Sequence, residues 1–279
     1  MERVLKLTIA YDGTAYVGWQ RQAAGVSIQG LLENALARME GAPVAVHGAG
    51  RTDAGVHALG QVASARVTNA HEPLVIRRAL NAMLPGDVRV MAVEDAAGDF
   101  HARYSAAAKT YEYRLWQGDV QPPFARAWSW HLRQPLDADA MDRAARRLEG
   151  TRDFSAFQSA GSGVTTAVRT VTCARAEVRE PSADVIGKPG PDAGAGTRGR
   201  LVVVRIEADG FLRHMVRAVV GTLVEVGGRR REEASVTALL DSRNRADSGP
   251  TAPAHGLVLV RVTYREGPGG SASVAKPVS

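Results

Sequence analysis

The chain has 279 residues, 45% of them hydrophobic, which is enough to bury a substantial core in one large domain or two smaller ones and argues against disorder. Its formal charge is +6, and 31 of its 35 basic residues are arginine, with lysine only at Lys6, Lys109, Lys188 and Lys276; guanidinium forks suit an RNA partner, while codon bias in an alanine- and glycine-rich chain accounts for the same excess. The lone cysteine, Cys173, excludes an internal disulfide and the paired thiolates of common zinc sites, and no apolar run has the form of a signal peptide or membrane span, so a cytoplasmic protein without a membrane partner is expected.

Leu5, Leu7 and Ile9 alternate, which predicts a half-buried strand over residues 4–11 that ends in the turn Asp12-Gly13-Thr14. A helix follows: Ser27 is a suitable N-cap, and Leu31, Leu32, Ala35, Leu36 and Met39 recur at helical spacing before Gly41-Ala42-Pro43. Strands are predicted at 44–47 and 59–67 on either side of a glycine-rich loop at 48–55. Pro73 then opens a helix carrying Leu74, Ala79, Leu80 and Met83, and 88–93 reads as a further strand. The order is βαββαβ, the ferredoxin-like pattern.

The second half repeats that order: strand 109–116, helix 138–148, strands 170–178 and 201–208, helix 212–226 and strand 256–264, interrupted by an extra helix near 232–240. The fold class is therefore α+β, two ferredoxin-like halves with antiparallel or mixed sheets joined around a central cleft. The N-terminal half spans 1–105 and carries the glycine-rich loop; the C-terminal half spans 106–266. Glycine and proline concentrate at 181–200, read as a flexible insertion, and 267–279 reads as a disordered tail.

Within the loop, Asp53 stands two residues after Arg51 and between glycines that let the backbone turn and a substrate approach closely. A neighbouring arginine favours the ionised carboxyl, fit to act as nucleophile or base. An aspartate that caps a turn is the plainer reading, and spacing by itself favours it. His47, Asp53 and His57 are conceivable metal ligands, but they complete no standard signature and no metal is expected.

The run Gly50-Arg51-Thr52-Asp53-Ala54-Gly55-Val56-His57-Ala58 resembles the catalytic motif of the tRNA pseudouridine synthase A family. Tyr11-Asp12-Gly13-Thr14 with Gly18-Trp19-Gln20 resembles its opening motif, and Phe100-His101-Ala102-Arg103-Tyr104-Ser105-Ala106 with Lys109-Thr110-Tyr111-Glu112-Tyr113 its central one. Asp153-Phe154-Ser155-Ala156-Phe157, Gly210-Phe211-Leu212-Arg213-His214-Met215-Val216-Arg217 and Ala252-Pro253-Ala254-His255-Gly256-Leu257 extend the similarity over roughly 4–264. The resemblance implies a homodimeric isomerase that converts uridine to pseudouridine at positions 38, 39 and 40 of the tRNA anticodon stem-loop. It implies Asp53 as the essential aspartate, Tyr111 as the tyrosine against the target uracil and Arg217 as a basic partner of the carboxylate; Arg51, next to the motif's aspartate, is a further substrate-binding candidate. Two departures stand out: Ala218 follows Arg217 where asparagine is common, and the 181–200 insertion is long.

These residue types suit that chemistry. Forming pseudouridine breaks the bond from uracil N1 to the ribose and joins C5 to the same carbon, with no oxidation and no atoms added, so no cofactor is expected. One carboxylate can start the sequence by attacking sugar or base, or by taking a sugar proton. Flipping the uridine into a pocket exposes its sugar bond, and a tyrosine ring then packs on the base. Tyr111 and Tyr113 as ordinary strand aromatics are the bland alternative. Arg217 lies in a segment too apolar for a solvated helix, so it needs an anion, and Asp53 is the candidate. Trp19, Arg21, Arg77, Arg78 and Arg229-Arg230-Arg231 are possible RNA contacts, Trp19 the best of them as a loop aromatic beside polar donors. The main rival is a noncatalytic RRM-like RNA-binding protein, against which the missing Gly-aromatic signature in 109–116 counts. A nucleobase deaminase or N-glycosidase is the third reading; the single cysteine opposes zinc deaminase chemistry.

Overall fold

In the computed structural model, residues 2–159, 161, 165–180 and 199–265 are described. Most of the predicted insertion and the predicted tail lie outside them. The elements run β1 (Arg3–Tyr11), α1 (Ile28–Glu40), β2 (Val46–Gly48), β3 (His57–Val67), α2 (Pro73–Met83), β4 (Val88–Ala96), β5 (Ala106–Gln117), β6 (Trp130–Leu132), α3 (Ala138–Arg146), β7 (Gly150–Asp153), β8 (Val168–Arg179), β9 (Arg200–Ala208), α4 (Met215–Gly227), α5 (Ser235–Ser242) and β10 (Leu257–Tyr264).

Local chemistry explains the best-formed elements. On β1, Leu5, Leu7, Ile9 and Tyr11 fall on one face and are buried, while Lys6 on the other face pairs with Glu94 on β4 at 3.1 Å. Helix α1 begins where Ser27 Oγ accepts the Gly30 N–H, a cap worth about 1 kcal/mol, and ends at Gly41. Pro73 occupies the first turn of α2, where its missing N–H costs nothing. Leu32 and Leu36 of α1 and Ile76 and Leu80 of α2 join the β1 residues in one core.

The chain is an α+β fold whose strands merge into a single ten-stranded sheet. Its main path is β4-β1-β3-β10-β5-β9-β8-β7, with β2 paired to β3 and β6 to β5. The halves expected to bring separate sheets meet edge to edge: β10 runs parallel to the start of β3 (Val258 opposite His57, Leu259 opposite Ala58) and antiparallel to β5. The far end of the same β3 edge is taken by β2 (Val46 opposite Ala65). Because β2 is only three residues long, part of β3 is left for β10 to pair, and this fuses the sheets. β6 and β7, at three and four residues, went unpredicted because so short a run has no readable period.

Candidate active site

The Asp53 loop joins β2 to β3 at the seam between the halves, and hydrogen bonds pin it from both ends. Ala49 N–H donates to Val62 O (2.7 Å), Gln61 Nε2 to Gly50 O (2.9 Å) and Trp19 N–H to Thr52 O (3.0 Å). Thr52 Oγ1 and the Tyr11 hydroxyl share a buried bond of 2.9 Å. Gly18 is required beneath the loop: its φ is 104°, and a Cβ there would lie 2.5 Å from Thr52 O. Gly55, at φ 77°, makes the turn after Asp53, whose carbonyl accepts the Val56 N–H at 3.2 Å.

Asp53 keeps about a third of its side chain accessible. Its Oδ2 lies 3.4 Å from Arg217 Nη1 and 3.4 Å from His214 Nε2, while no hydrogen bond reaches Oδ1 among the described residues. One oxygen is held and the other is left open. Arg217 sits in the first turn of α4, a helix buried along nearly its whole length, and its Nε donates to Ala252 O at 2.7 Å. The guanidinium therefore ties α4, the segment before β10 and the Asp53 loop together. Arg51 is exposed and forms no ion pair with Asp53 among the described residues, so the cation at the carboxylate is Arg217 of α4 and not the residue adjacent in sequence.

His214 is the site residue that sequence reasoning missed. It immediately precedes α4 with φ at 60°, a left-handed conformation that is uncommon for histidine and concentrates at functional sites. That backbone also explains why the helix starts at Met215 and not at the predicted residue 212. His214 Nδ1 faces Ser159 Oγ at 2.9 Å. Burial lowers its pKa, Asp53 opposes that, and the guanidiniums of Arg217, Arg213 and Arg245 reinforce it. Its hydrogen bond is the one with Ser159 at Nδ1, while Nε2 approaches Asp53 Oδ2 at 3.4 Å without hydrogen-bond geometry. The one available signal was the Arg213-His214-Met215-Val216-Arg217 run itself.

Tyr111, on β5, is buried edge-on against Phe211, with centroids 5.0 Å apart at 84°. Burial pushes its hydroxyl pKa far up, and Tyr11 and Asp53 add to the effect, so it is a neutral phenol near pH 7. No protein hydrogen bond to that hydroxyl is present among the described residues, whereas the Tyr113 hydroxyl donates to Pro253 O at 2.7 Å. Tyr113 is thus a structural neighbour and Tyr111 the one with an unused polar group.

The other candidates separate. Trp19 is core: it is 2% exposed, tilted against Tyr11, and packs so closely on Gly48 that a Cβ there would clash at 2.4 Å. Arg21 pairs with Glu33, Arg77 donates to Met91 O, and Arg231 is held by Glu225 and Asp247 O, while Arg78, Arg229 and Arg230 remain exposed. His57 is fully buried; Gly13 N–H donates to its Nδ1 (3.0 Å), its Nε2 faces Ala127 O (2.8 Å) and His255 O (3.1 Å), and its ring stacks on Trp128. Asp12 Oδ1 also lies 3.1 Å from that Nδ1, and burial lowers the ring's pKa while Asp12 opposes the shift. His47 stacks on His101 instead, so His47, Asp53 and His57 address three different surroundings.

A carboxylate with one oxygen engaged by Arg217, near a buried tyrosine, is a candidate site of the class that can act by nucleophilic or acid–base chemistry. Sequence comparison gives the family. The chain belongs to the tRNA pseudouridine synthases, whose family profile matches residues 7–105 and 144–265. It is 45% identical over 266 residues to tRNA pseudouridine synthase A of Moorella thermoacetica, covering 93% of this chain and 99% of that one. Similarity to the proteins of that name from Syntrophotalea carbinolica (44% over 264 residues, 94% and 96% covered) and Myxococcus xanthus (44% over 264 residues, 95% and 93% covered) is of the same extent.

Proposed function

We propose that this chain isomerises uridine to pseudouridine in transfer RNA, at positions 38, 39 and 40 of the anticodon stem-loop, as a cytoplasmic homodimer and without a cofactor. The observation that carries the reading is the Asp53 carboxylate, with Oδ2 held by Arg217 and approached by His214 at 3.4 Å each and Oδ1 unengaged, in a chain of this family. In this reading Oδ1 attacks the sugar or base, or takes a sugar proton, once the uridine has flipped out of its stack. Arg217 holds the carboxylate against rotation, and neutral His214 lies beside it without adding a second full charge. The Tyr111 ring packs on the extruded base with its hydroxyl toward C5; as a neutral phenol it donates to the base and does not act as a resting phenolate. Arg51, exposed beside the loop, is assigned to the RNA backbone. The two halves, 1–105 and 106–266, are assigned as domains sharing the sheet. No described helix is long and apolar enough to cross a membrane.

An RRM-like role fits poorly. RRM domains stack bases on aromatics of an open sheet face, whereas Tyr111 and Tyr113 are buried and the opposite face of β5 carries Glu112, bound by Arg179 at 2.9 and 3.0 Å. The deciding experiment is to map pseudouridine in unmodified tRNA incubated with the pure protein alone. New pseudouridine at the anticodon stem-loop with unchanged RNA mass is expected; unmodified tRNA, or a mass change from deamination or base loss, refutes the assignment.

A further inference from the structure

The segment between β4 and β5 is fixed firmly yet presents an aromatic ring to water. His101 Nδ1 accepts the N–H groups of Arg103 (3.1 Å) and Tyr104 (3.4 Å), and Ser105 N–H donates to His101 O (2.9 Å). Ala102 N–H reaches the buried Ser64 Oγ (3.1 Å), and the Tyr264 hydroxyl donates to Ala102 O (2.8 Å). Even so, Tyr104 is 77% exposed. The ring is not isolated: His47 and His101 stack with centroids 5.0 Å apart at 29°, Tyr104 lies 4.4 Å from His101 at 35°, and the Arg103 guanidinium is 5.7 Å from the Tyr104 centroid. A row of three rings therefore starts at β2, the strand that leads into the Asp53 loop, and ends on an open tyrosine.

A cationic path joins this ledge to the site. The Lys109 stem runs against Gly50, where a Cβ would lie 3.3 Å from Lys109 Cε, and Gly50 opens the stretch Gly50-Arg51-Thr52-Asp53. Burial lowers the Lys109 pKa, and Arg103 is the next cause, so the two cations are close enough to repel each other. A rigid aromatic face next to arginine and lysine, held open at the expense of exposed apolar surface, matches the platforms on which single-stranded bases stack.

Resting on the function proposed above, we infer that Tyr104, backed by His101 and His47 and flanked by Arg103, is a stacking platform for an unpaired nucleobase of the RNA substrate on the approach to Asp53. The base stacks on the tyrosine ring, and Arg103 and Lys109 meet the adjoining phosphates.

The test uses the full chain, an unmodified tRNA transcript and three variants, Tyr104→Phe, Tyr104→Leu and Tyr104→Ala. Because Tyr104 is exposed, all three are expected to melt like the parent protein. Replacement by Leu or Ala should weaken tRNA affinity about tenfold at fixed salt, the scale of one lost base–aromatic stack, and Phe should restore it to within about twofold. Equal affinity for all four proteins overturns the platform, as does loss of affinity by Phe equal to that by Ala. Light scattering provides a further arm: a change of oligomeric state in the Leu or Ala variant assigns the ring to a protein contact and also overturns the proposal. If the parent protein neither binds nor modifies tRNA, the functional reading itself falls.

Discussion

The two halves of the molecule share one topology and contribute different elements to the candidate site. In the first half the strands stand in the order β4-β1-β3-β2, and in the second as β10-β5-β9-β8, the same arrangement of fourth, first, third and second strand. The connection between second and third strands is a tightly pinned loop bearing Asp53 in the first half; its counterpart joins β8 to β9 through the glycine- and proline-rich stretch. The second half contributes instead from β5, with Tyr111, and from α4, with Arg217 and His214 just before it. Equivalent backbones thus do different work, and the site exists only where they meet at the β3–β10 seam.

The comparison breaks most sharply at Asp53. Asp53→Asn keeps the shape but not the negative charge, so pseudouridine formation is expected to fall by several orders of magnitude while the melting temperature and tRNA affinity hold. Tritium release from C5-labelled tRNA, run beside a thermal melt, reads this out. If Asp53 only shaped its turn, asparagine would serve equally well, and release at the parent rate would return it to that role.

On the second half's side the expected effects are graded. Tyr111→Phe preserves the packing against Phe211 and removes the unused hydroxyl, so single-turnover isomerisation should slow on the order of 10²-fold with tRNA affinity unchanged. An unchanged rate would leave the ring a packing role alone. Arg217→Lys is expected to cost about tenfold in turnover and about 1–2 kcal/mol in stability, because an ammonium cannot span Ala252 O and Asp53 Oδ2 as the guanidinium does. A chemical melt and a kcat measurement test both, and a lysine variant equal to the parent in each would show that the bridge is incidental.

The smallest effect is on pH dependence and involves both halves. His57, His101, His214 and His255 all have pKa values pushed down, chiefly by burial. A histidine whose folded pKa lies below its unfolded value is protonated first in the unfolded chain. The unfolded state therefore binds more protons as pH falls below about 6.5, and stability drops with it. Melting temperature should fall by a few degrees between pH 7 and pH 5, above the range where the lowered carboxylates Asp142, Asp153 and Glu207 begin to titrate. A flat profile over that interval would contradict the burial of these rings.

What the sequence determined by itself was local and periodic. Alternation at Leu5, Leu7 and Ile9, the Ser27 cap and the placing of Pro73 each involve residues within one strand or turn, and they marked β1, α1 and α2 closely. The apolar character of α4 also said that Arg217 needed an anion, because a buried guanidinium costs too much without one. Tertiary structure decided what depends on partners distant in the chain. It buried Trp19 under Gly48 and Tyr11, although a tryptophan in a polar loop reads as a contact residue. It placed His214, not the adjacent Arg51, against Asp53, since the left-handed turn before α4 aims that ring across 161 residues of sequence. It also fused the halves into one sheet by pairing β3 with β10, because β2 is too short to fill the β3 edge, and unpaired backbone donors and acceptors at such an edge must find a strand wherever the fold supplies one.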